Sequence, residues 1–317
     1  MKLSLPFLFA VLFTPLAAAP APTSGRVFMI DAGTPAGLRE LLGPAGGPVP
    51  LVSAHRGGAG AGLPENCLAT FEATIRAGWS MLEIDLRPTK DGVIVLMHDA
   101  TLDRTSNGSG PVQDRTLAEI RELRLKDRQG RLTEHRIPTL DEVIEWARGR
   151  TLLVLDRKEV PVLEAAKIIT RHRAEAHVLL MAYSIKDIAD CHALNRDIMM
   201  EVMLGTRERF EEFKRSGVPF ANIIAFVGHT AEPDPELCRL IRAGGASCMA
   251  GTSRNHDREL LSGRVKTLDP LGPGYRAVLD RGVDVIETDV PRELSPLLYG
   301  GRPPSGAKAK FFRIATR

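Results

Sequence analysis

Short apolar runs alternate along this chain with stretches in which apolar residues recur at helical spacing. Residues 51–55, 81–86, 93–97, 151–156, 177–183, 197–203, 222–227, 247–251 and 284–287 read as strands. Residues 65–77, 140–147, 162–172, 185–194, 207–215, 235–243, 275–281 and 292–298 carry the 3.6-residue period of covering helices. Such alternation predicts an α/β fold with parallel strands under a layer of helices. One pair departs from it. No helix fits between 81–86 and 93–97, and Asp91-Gly92 is a strong hairpin turn signal. Residues 93–97 should therefore fold back antiparallel, which leaves eight parallel strands for a (β/α)8 TIM barrel with one extra hairpin strand. An open doubly wound sheet is the competing architecture, but no G-x-G-x-x-G follows any strand. Residues 101–138 are too long for a bare connection and predict a small cap insertion over the barrel mouth, with a short helix at 117–125.

Composition narrows the class without identifying a function. The 317 residues are 44% hydrophobic and 26% charged, which excludes wholesale disorder and fibrous chains. A net charge of +3 implies no nucleic-acid or other polyanionic partner. The ends are more distinctive. Lys2, an apolar run over 3–13 and Ala17-Ala18-Ala19 read as a secretory signal over residues 1–19, although Pro20 should impede cleavage directly after Ala19. The apolar run is shorter than the ~20 residues that span a bilayer, so export to the periplasm or outside is expected, without stable membrane insertion. Residues 20–50 form a Pro/Gly/Ala-rich lead-in, and 51–299 hold the barrel. Residues 300–317, with Arg302, Lys308, Lys310, Arg313 and Arg317 and no acid, read as a flexible basic tail or a surface-binding arm. Four scattered cysteines make no disulfide framework; Cys238 and Cys248 are the candidate pair for an optional bridge.

The chemistry collects where barrel strands end. Side chains there face an active site, and the predicted ends carry His55-Arg56-Gly57, Glu83 with Asp85, and Asp156 with Lys158. If Asp91 and Gly92 are the two loop residues, Asp85 lies opposite His98 with Cβ atoms ~5 Å apart. Glu83 shares that face, two residues along. Pro88 demands an edge or a bulge, and a bulge would slip this register. Glu83, Asp85 and Asp156 offer hard oxygens that suit calcium or magnesium better than zinc; surface alternation on an edge strand is the competing reading of the first two. His55 and His98 titrate near neutrality and suit proton transfer, with zinc ligation as the alternative. Arg56 and Lys158 suggest an anionic group beside the metal, or counter-ions for the carboxylates. A metal, two imidazoles and two cations together describe phosphodiester cleavage. His135, His172, His177, His192, His229 and His256 lack paired spacing and read as surface or core. Asp289 either bounds the site or caps the helix that follows it.

These residues carry a family pattern. His55-Arg56-Gly57, Pro64-Glu65-Asn66, Glu83-x-Asp85, Thr89-Lys90-Asp91-Gly92, His98-Asp99, Asp103-Arg104-Thr105, Asn107-Gly108, Ile137-Pro138-Thr139-Leu140 and Thr288-Asp289 with Pro291 resemble the glycerophosphodiester phosphodiesterases, a branch of the PLC-like TIM-barrel phosphodiesterases. The resemblance runs over residues 51–298 and is densest in the N-terminal half. It implies His55 and His98 as the acid/base pair, Arg56 and Lys158 on the phosphate, and Glu83, Asp85 and Asp156 on one divalent ion, with Glu65 and Asn66 in support. It further implies hydrolysis of a small glycerophosphodiester to an alcohol and glycerol 3-phosphate, with water or the substrate's own C2 hydroxyl as nucleophile. Three departures stand out. Asp156 replaces the usual Glu of a Glu-x-Lys motif, Tyr183-Ser184 stands where Ser-Phe is common, and Met249-Ala250-Gly251-Thr252-Ser253 lacks the aromatic of a Trp-Thr-x-Asn motif. Competing readings are a lipid-headgroup phosphodiesterase of the sphingomyelinase D or phosphatidylinositol lipase type, and a secreted phosphate-ester-binding protein without turnover. The sequence leaves the oligomeric state open.

Overall fold

The computed structural model describes residues 25–47 and 49–316; the expected signal segment, 1–19, lies outside the described residues. The strands in chain order are β1 (Arg26–Ile30), β2 (Leu51–Ala54), β3 (Met81–Pro88), β4 (Ile94–Leu96), β5 (Leu153–Asp156), β6 (Val178–Ala182), β7 (Met199–Met203), β8 (Ile223–Gly228), β9 (Ser247–Gly251), β10 (Val285–Thr288) and β11 (Phe312–Thr316). The helices are α1 (Pro35–Leu42), α2 (Leu68–Ala77), α3 (Leu117–Arg121), α4 (Leu140–Ala147), α5 (Val162–Arg171), α6 (Ile185–Leu194), α7 (Arg207–Arg215), α8 (Pro235–Gly244), α9 (His256–Leu261), α10 (Gly272–Asp280) and α11 (Pro291–Tyr299). Strands β2, β10, β9, β8, β7, β6, β5 and β3 hydrogen-bond in that order, and β3 returns to β2, so eight parallel strands close into the expected TIM barrel. Helix starts are set by local chemistry: capping boxes Thr139/Glu142 and Ser184/Asp187 open α4 and α6.

Parity then sorts the side chains. Outward residues such as Leu82, Ile84, Leu153, Leu155, Val178 and Leu180 pack with α4 and α5 in the outer core layer. Inward residues at the lower half of the strands, among them Met81, Val154, Leu179, Met199, Ile224, Met249 and Val285, fill the barrel with apolar volume. Further along, the inward positions of β2, β3, β5, β7 and β10 are polar: Ser53, Glu83 with Asp85, Asp156, Glu201 and Glu287.

The hairpin exists as expected, but its register differs. β4 pairs antiparallel to β3 outside the barrel, with Leu86 opposite Leu96 and Pro88 opposite Ile94. The loop has three residues rather than two. Thr89 Oγ1 accepts from the Val93 amide (3.0 Å) and donates to Asp91 Oδ1 (2.6 Å), while Gly92 takes φ +77°, which glycine adopts without a Cβ penalty. The ladder slips by one, so the Met97 amide, not His98, meets the Asp85 carbonyl (3.0 Å). The short cap helix also stops early, at Arg121.

The lead-in and tail are not loose ends. β1 pairs antiparallel with β11 along its whole length, from Arg26 opposite Thr316 to Ile30 opposite Phe312. Each strand presents apolar residues to the barrel floor, where with α1 they cover the apolar interior. Composition concealed this because Pro and Gly lie close to both strands, and lysines precede β11. At the centre lies Trp79, fully buried, with its ring edge-on to Phe28 (4.7 Å), Tyr299 (5.4 Å) and Phe312 (6.1 Å). Its indole N–H donates to the Arg313 carbonyl (3.3 Å). The four cysteines are buried free thiols; Cys248 Sγ contacts the Cys238 carbonyl (3.7 Å). Trp79→Ala should cost about 3–5 kcal/mol, as large aromatic truncations in cores do. Urea unfolding measures it, and a loss under about 1 kcal/mol would show that the terminal ribbon is not anchored there.

Candidate active site

Glu83 and Asp85 share the inward parity of Met81 and lie at the upper end of β3, 2% and 1% exposed. β3 is no edge strand. It pairs with β2 at Met81 and Leu82 and with β5 from Leu82 to Asp85, and the β5 register sets Asp156 directly beside Asp85. Ligand oxygens of the three carboxylates lie within 4.8 Å of one another. Two flanking groups aim them. The Arg56 amide donates to Glu83 Oε2 (2.7 Å), which requires Arg56 itself at φ +53°. Asn66 sits ahead of α2 rather than inside the predicted 65–77 helix, at φ +55°, a conformation asparagine tolerates. From there its Nδ2 donates to Asp85 Oδ2 (2.6 Å) and its Oδ1 accepts from the Asp85 amide (3.0 Å).

Both cations of the sequence analysis are engaged by acids. Lys158 Nζ lies 2.7 Å from Asp85 Oδ1 and bonds to Asp156, which also receives the Tyr183 hydroxyl. Burial alone would lower the Lys158 pKa; Asp85 and Asp156 outweigh it and hold the ammonium charged. Arg56 spans Glu65 (3.3 Å) and Asp85 (3.9 Å). Two further inward carboxylates escaped notice as ligands, Glu201 on β7 and Glu287 on β10, 2% and 4% exposed. Neither Glu201 oxygen has a hydrogen-bond partner. Burial and then the charge of neighbouring acids push the Glu83 and Glu201 carboxyls well up. A lone acid at inward parity in an otherwise apolar strand was the available signal for Glu201. An all-oxygen set, crowded with negative charge and holding orphaned oxygens, fits a hard divalent cation. Neither imidazole is among these convergent ligand atoms.

The two histidines are oriented alike. His55 follows β2, and the β10 register places Asp289 alongside, so Asp289 Oδ1 meets His55 Nδ1 at 2.8 Å. Asp289 therefore serves His55, and Val290 occupies the N-cap of α11. His98 leaves the end of the hairpin; its Nδ1 meets Asp99 Oδ1 at 2.7 Å, and Arg104 ties Asp99 to Glu65 (2.6 and 2.7 Å). Both Nε2 atoms are thus left for chemistry. Burial alone would lower the His55 pKa, but the Asp289 bond and the charge of Glu287 outweigh it and raise it. Where the aromatic motif is missing, the His229 ring takes the space: a Cβ on Gly251 would stand 2.2 Å from its Nδ1. Burial, then Arg254, pushes His229 down to about 4, so it is neutral at physiological pH.

The pattern of the glycerophosphoryl diester phosphodiesterase family matches residues 55–213, from the first histidine into α7. A crystal structure of a glycerophosphoryl diester phosphodiesterase from Parabacteroides distasonis superposes with a TM-score of 0.85 at 37% identity, over 91% of this chain and 100% of that one. The chain belongs to this family. Among curated members, the glycerophosphodiester phosphodiesterase of Caldanaerobacter subterraneus is 38% identical over 44% of this chain and 61% of its own length. That of Bacillus subtilis is 28% identical over 50% and 60%. The chain thus spans about 60% of the length of these curated relatives. An Oleispira antarctica phosphodiesterase in complex with the product sn-glycerol-3-phosphate shares the fold at 20% identity, with a TM-score of 0.60 over 79% of this chain and 97% of that one.

Within this glycerophosphoryl diester phosphodiesterase fold, the His55–Asp289 pair makes a direct prediction. A raised pKa means that the protonated ring contributes stability below its ordinary value and loses it as pH rises through the folded value. Asp289→Asn removes the anion, so the His55 NMR titration should move to lower pH. A midpoint that stays in place would dismiss Asp289 as its partner.

Proposed function

We propose that the protein hydrolyses glycerophosphodiesters to an alcohol and glycerol 3-phosphate, with Glu83, Asp85 and Asp156 holding one calcium or magnesium ion. One observation carries this reading: two imidazoles, each fixed through Nδ1 by a carboxylate, stand at the barrel mouth beside a buried all-oxygen cluster. The ion, when bound, supplies Lewis-acid stabilisation of charge on the phosphoryl group. The chain's own residues do the rest. His55, favoured in its protonated form by Asp289 and Glu287, gives its Nε2 proton to the leaving alcohol. His98, set by Asp99, accepts the nucleophile's proton, from water or from the substrate's C2 hydroxyl. Arg56 and Lys158 grip phosphate oxygens, and Asn66 keeps Asp85 in place. Glu65 holds Arg56 and Arg104 together at the mouth. The substrate in this reading is a soluble small molecule, and export follows from the signal pattern at 1–19. Among the described residues no helix is long and apolar enough to cross a membrane.

His55→Ala and His98→Ala should each lower kcat on glycerophosphocholine by ~10²–10⁴ while the fold survives. Retention of more than about a third of wild-type turnover would remove that histidine from the reaction. Chelation should abolish turnover and single addition of calcium or magnesium restore it. Calorimetry should show weaker metal binding by Asp85→Asn. Full turnover in excess chelator would overturn the metal assignment.

A further inference from the structure

The cap carries a cation that, among the described residues, makes a single long ion pair and no hydrogen bond. Residues 125–133 form a tight hairpin in which the Asp127 amide bonds the Arg131 carbonyl (2.9 Å) and Gly130 closes the turn at φ +76°. Asp127 anchors this hairpin to the barrel. Its Oδ2 accepts from the Gly62 amide (2.9 Å) and from Arg131 Nε (2.9 Å), and its Oδ1 accepts from the amides of Gln129 and Arg131 (both 3.0 Å). Those bonds outweigh burial and hold the Asp127 carboxyl at about 2, so the anchor stays ionised across the physiological range. The turn residue between these bonds is Arg128.

Arg128 is thereby carried across the mouth to the His55 side of the site. Its Nη2 lies 3.5 Å from Asp289 Oδ1, the oxygen that already receives His55. Among the described residues its guanidinium makes no hydrogen bond, and its side chain is 31% exposed. The other two cations each meet two carboxylates: Lys158 lies between Asp85 and Asp156, and Arg56 lies 3.3 Å from Glu65 and 3.9 Å from Asp85. A planar fork of five donors whose ionic partner is Asp289 alone, at 3.5 Å, fixed at the edge of a phosphodiester site, matches the oxygens of a phosphate.

We propose that Arg128 is a third phosphate-binding cation, delivered by the cap, which clamps the substrate phosphate from the side of His55 and Asp289. The cap is then part of the binding site rather than a cover. This rests on the phosphodiesterase reading for its substrate, but its test does not need turnover. Binding of inorganic phosphate and of sn-glycerol 3-phosphate to the metal-loaded protein is measured by calorimetry for wild type, Arg128→Met and Arg128→Lys. Loss of a charge-assisted bidentate contact should weaken both ligands about tenfold or more in Arg128→Met, with partial recovery in Arg128→Lys. KM for glycerophosphocholine should rise in parallel while kcat stays within about threefold. Asp127→Ala, which frees the hairpin without touching the guanidinium, should reproduce part of the loss. Phosphate affinity within about twofold of wild type in Arg128→Met would overturn the proposal, as would an effect confined to substrates with an anionic alcohol group. If phosphate binding falls as expected but wild type turns over no glycerophosphodiester, the assignment of Arg128 stands and the proposed reaction fails.

Discussion

Everything at the mouth depends on how four adjacent strands are aligned. β10, β2, β3 and β5 run parallel with Thr288 beside Ala54, Ala54 beside Leu82, and Asp85 beside Asp156. Because side chains alternate with a period of two, that alignment places His55, Glu83, Asp85, Asp156, Glu287 and Asp289 on the inner face together. A one-residue slip in any of these strands would turn its polar residues toward the helices and its outer leucines into the barrel. The apolar inner residues below, from Met81 to Val285, make such a slip costly, since they would lose their burial. The hydrophobic floor thus fixes the geometry of the polar mouth.

That floor is itself completed from the chain ends. Trp79 stands just before β3, and the ribbon of β1 and β11 covers it. The strand that carries two of the three clustered carboxylates therefore starts from a side chain locked by both termini. Rigid placement matters here because close carboxylates repel, and only an enforced backbone holds them within reach of one cation.

The barrel was legible because its strands are fully buried and its helices amphipathic, so periodicity reported both. The eight inner strands fall within a few residues of the expected positions, and the α4, α6 and α7 spans agree in full. What escaped was set by single residues in unusual backbone states or by pairings distant in sequence. The hairpin register turned on Thr89 and Gly92, where a two-residue Asp-Gly loop was the simpler reading. Asn66 looked like the start of a helix because its neighbours have helical spacing, yet its left-handed φ is what lets it hold Asp85 from both sides. The β1–β11 pairing joins residues nearly three hundred positions apart, and no local pattern reports such a contact. Asp289 was ambiguous for the opposite reason. Acids before a helix usually cap it, and only the β10–β2 register shows that this one faces His55.

The two histidines are anchored by different means, and this divides the site into a fixed half and an adjustable half. His55 and Asp289 each directly follow one of two adjacent barrel strands, so the sheet register sets their contact. His98 and Asp99 lie beyond the hairpin, and they reach the barrel through Arg104 and Glu65, which in turn holds Arg56. Burial would raise the Glu65 carboxyl; Arg104 first, then Arg56, outweighs it and keeps it ionised. Glu65 is therefore a junction between the start of the cap and the loop after β2, where each arginine depends on the same two oxygens. The His98 side is set by side-chain ion pairs and the His55 side by backbone register. A change at Arg104 consequently acts on the placement of His98 and Arg56 together, while the carboxylates on β3 and β5 remain where the barrel puts them.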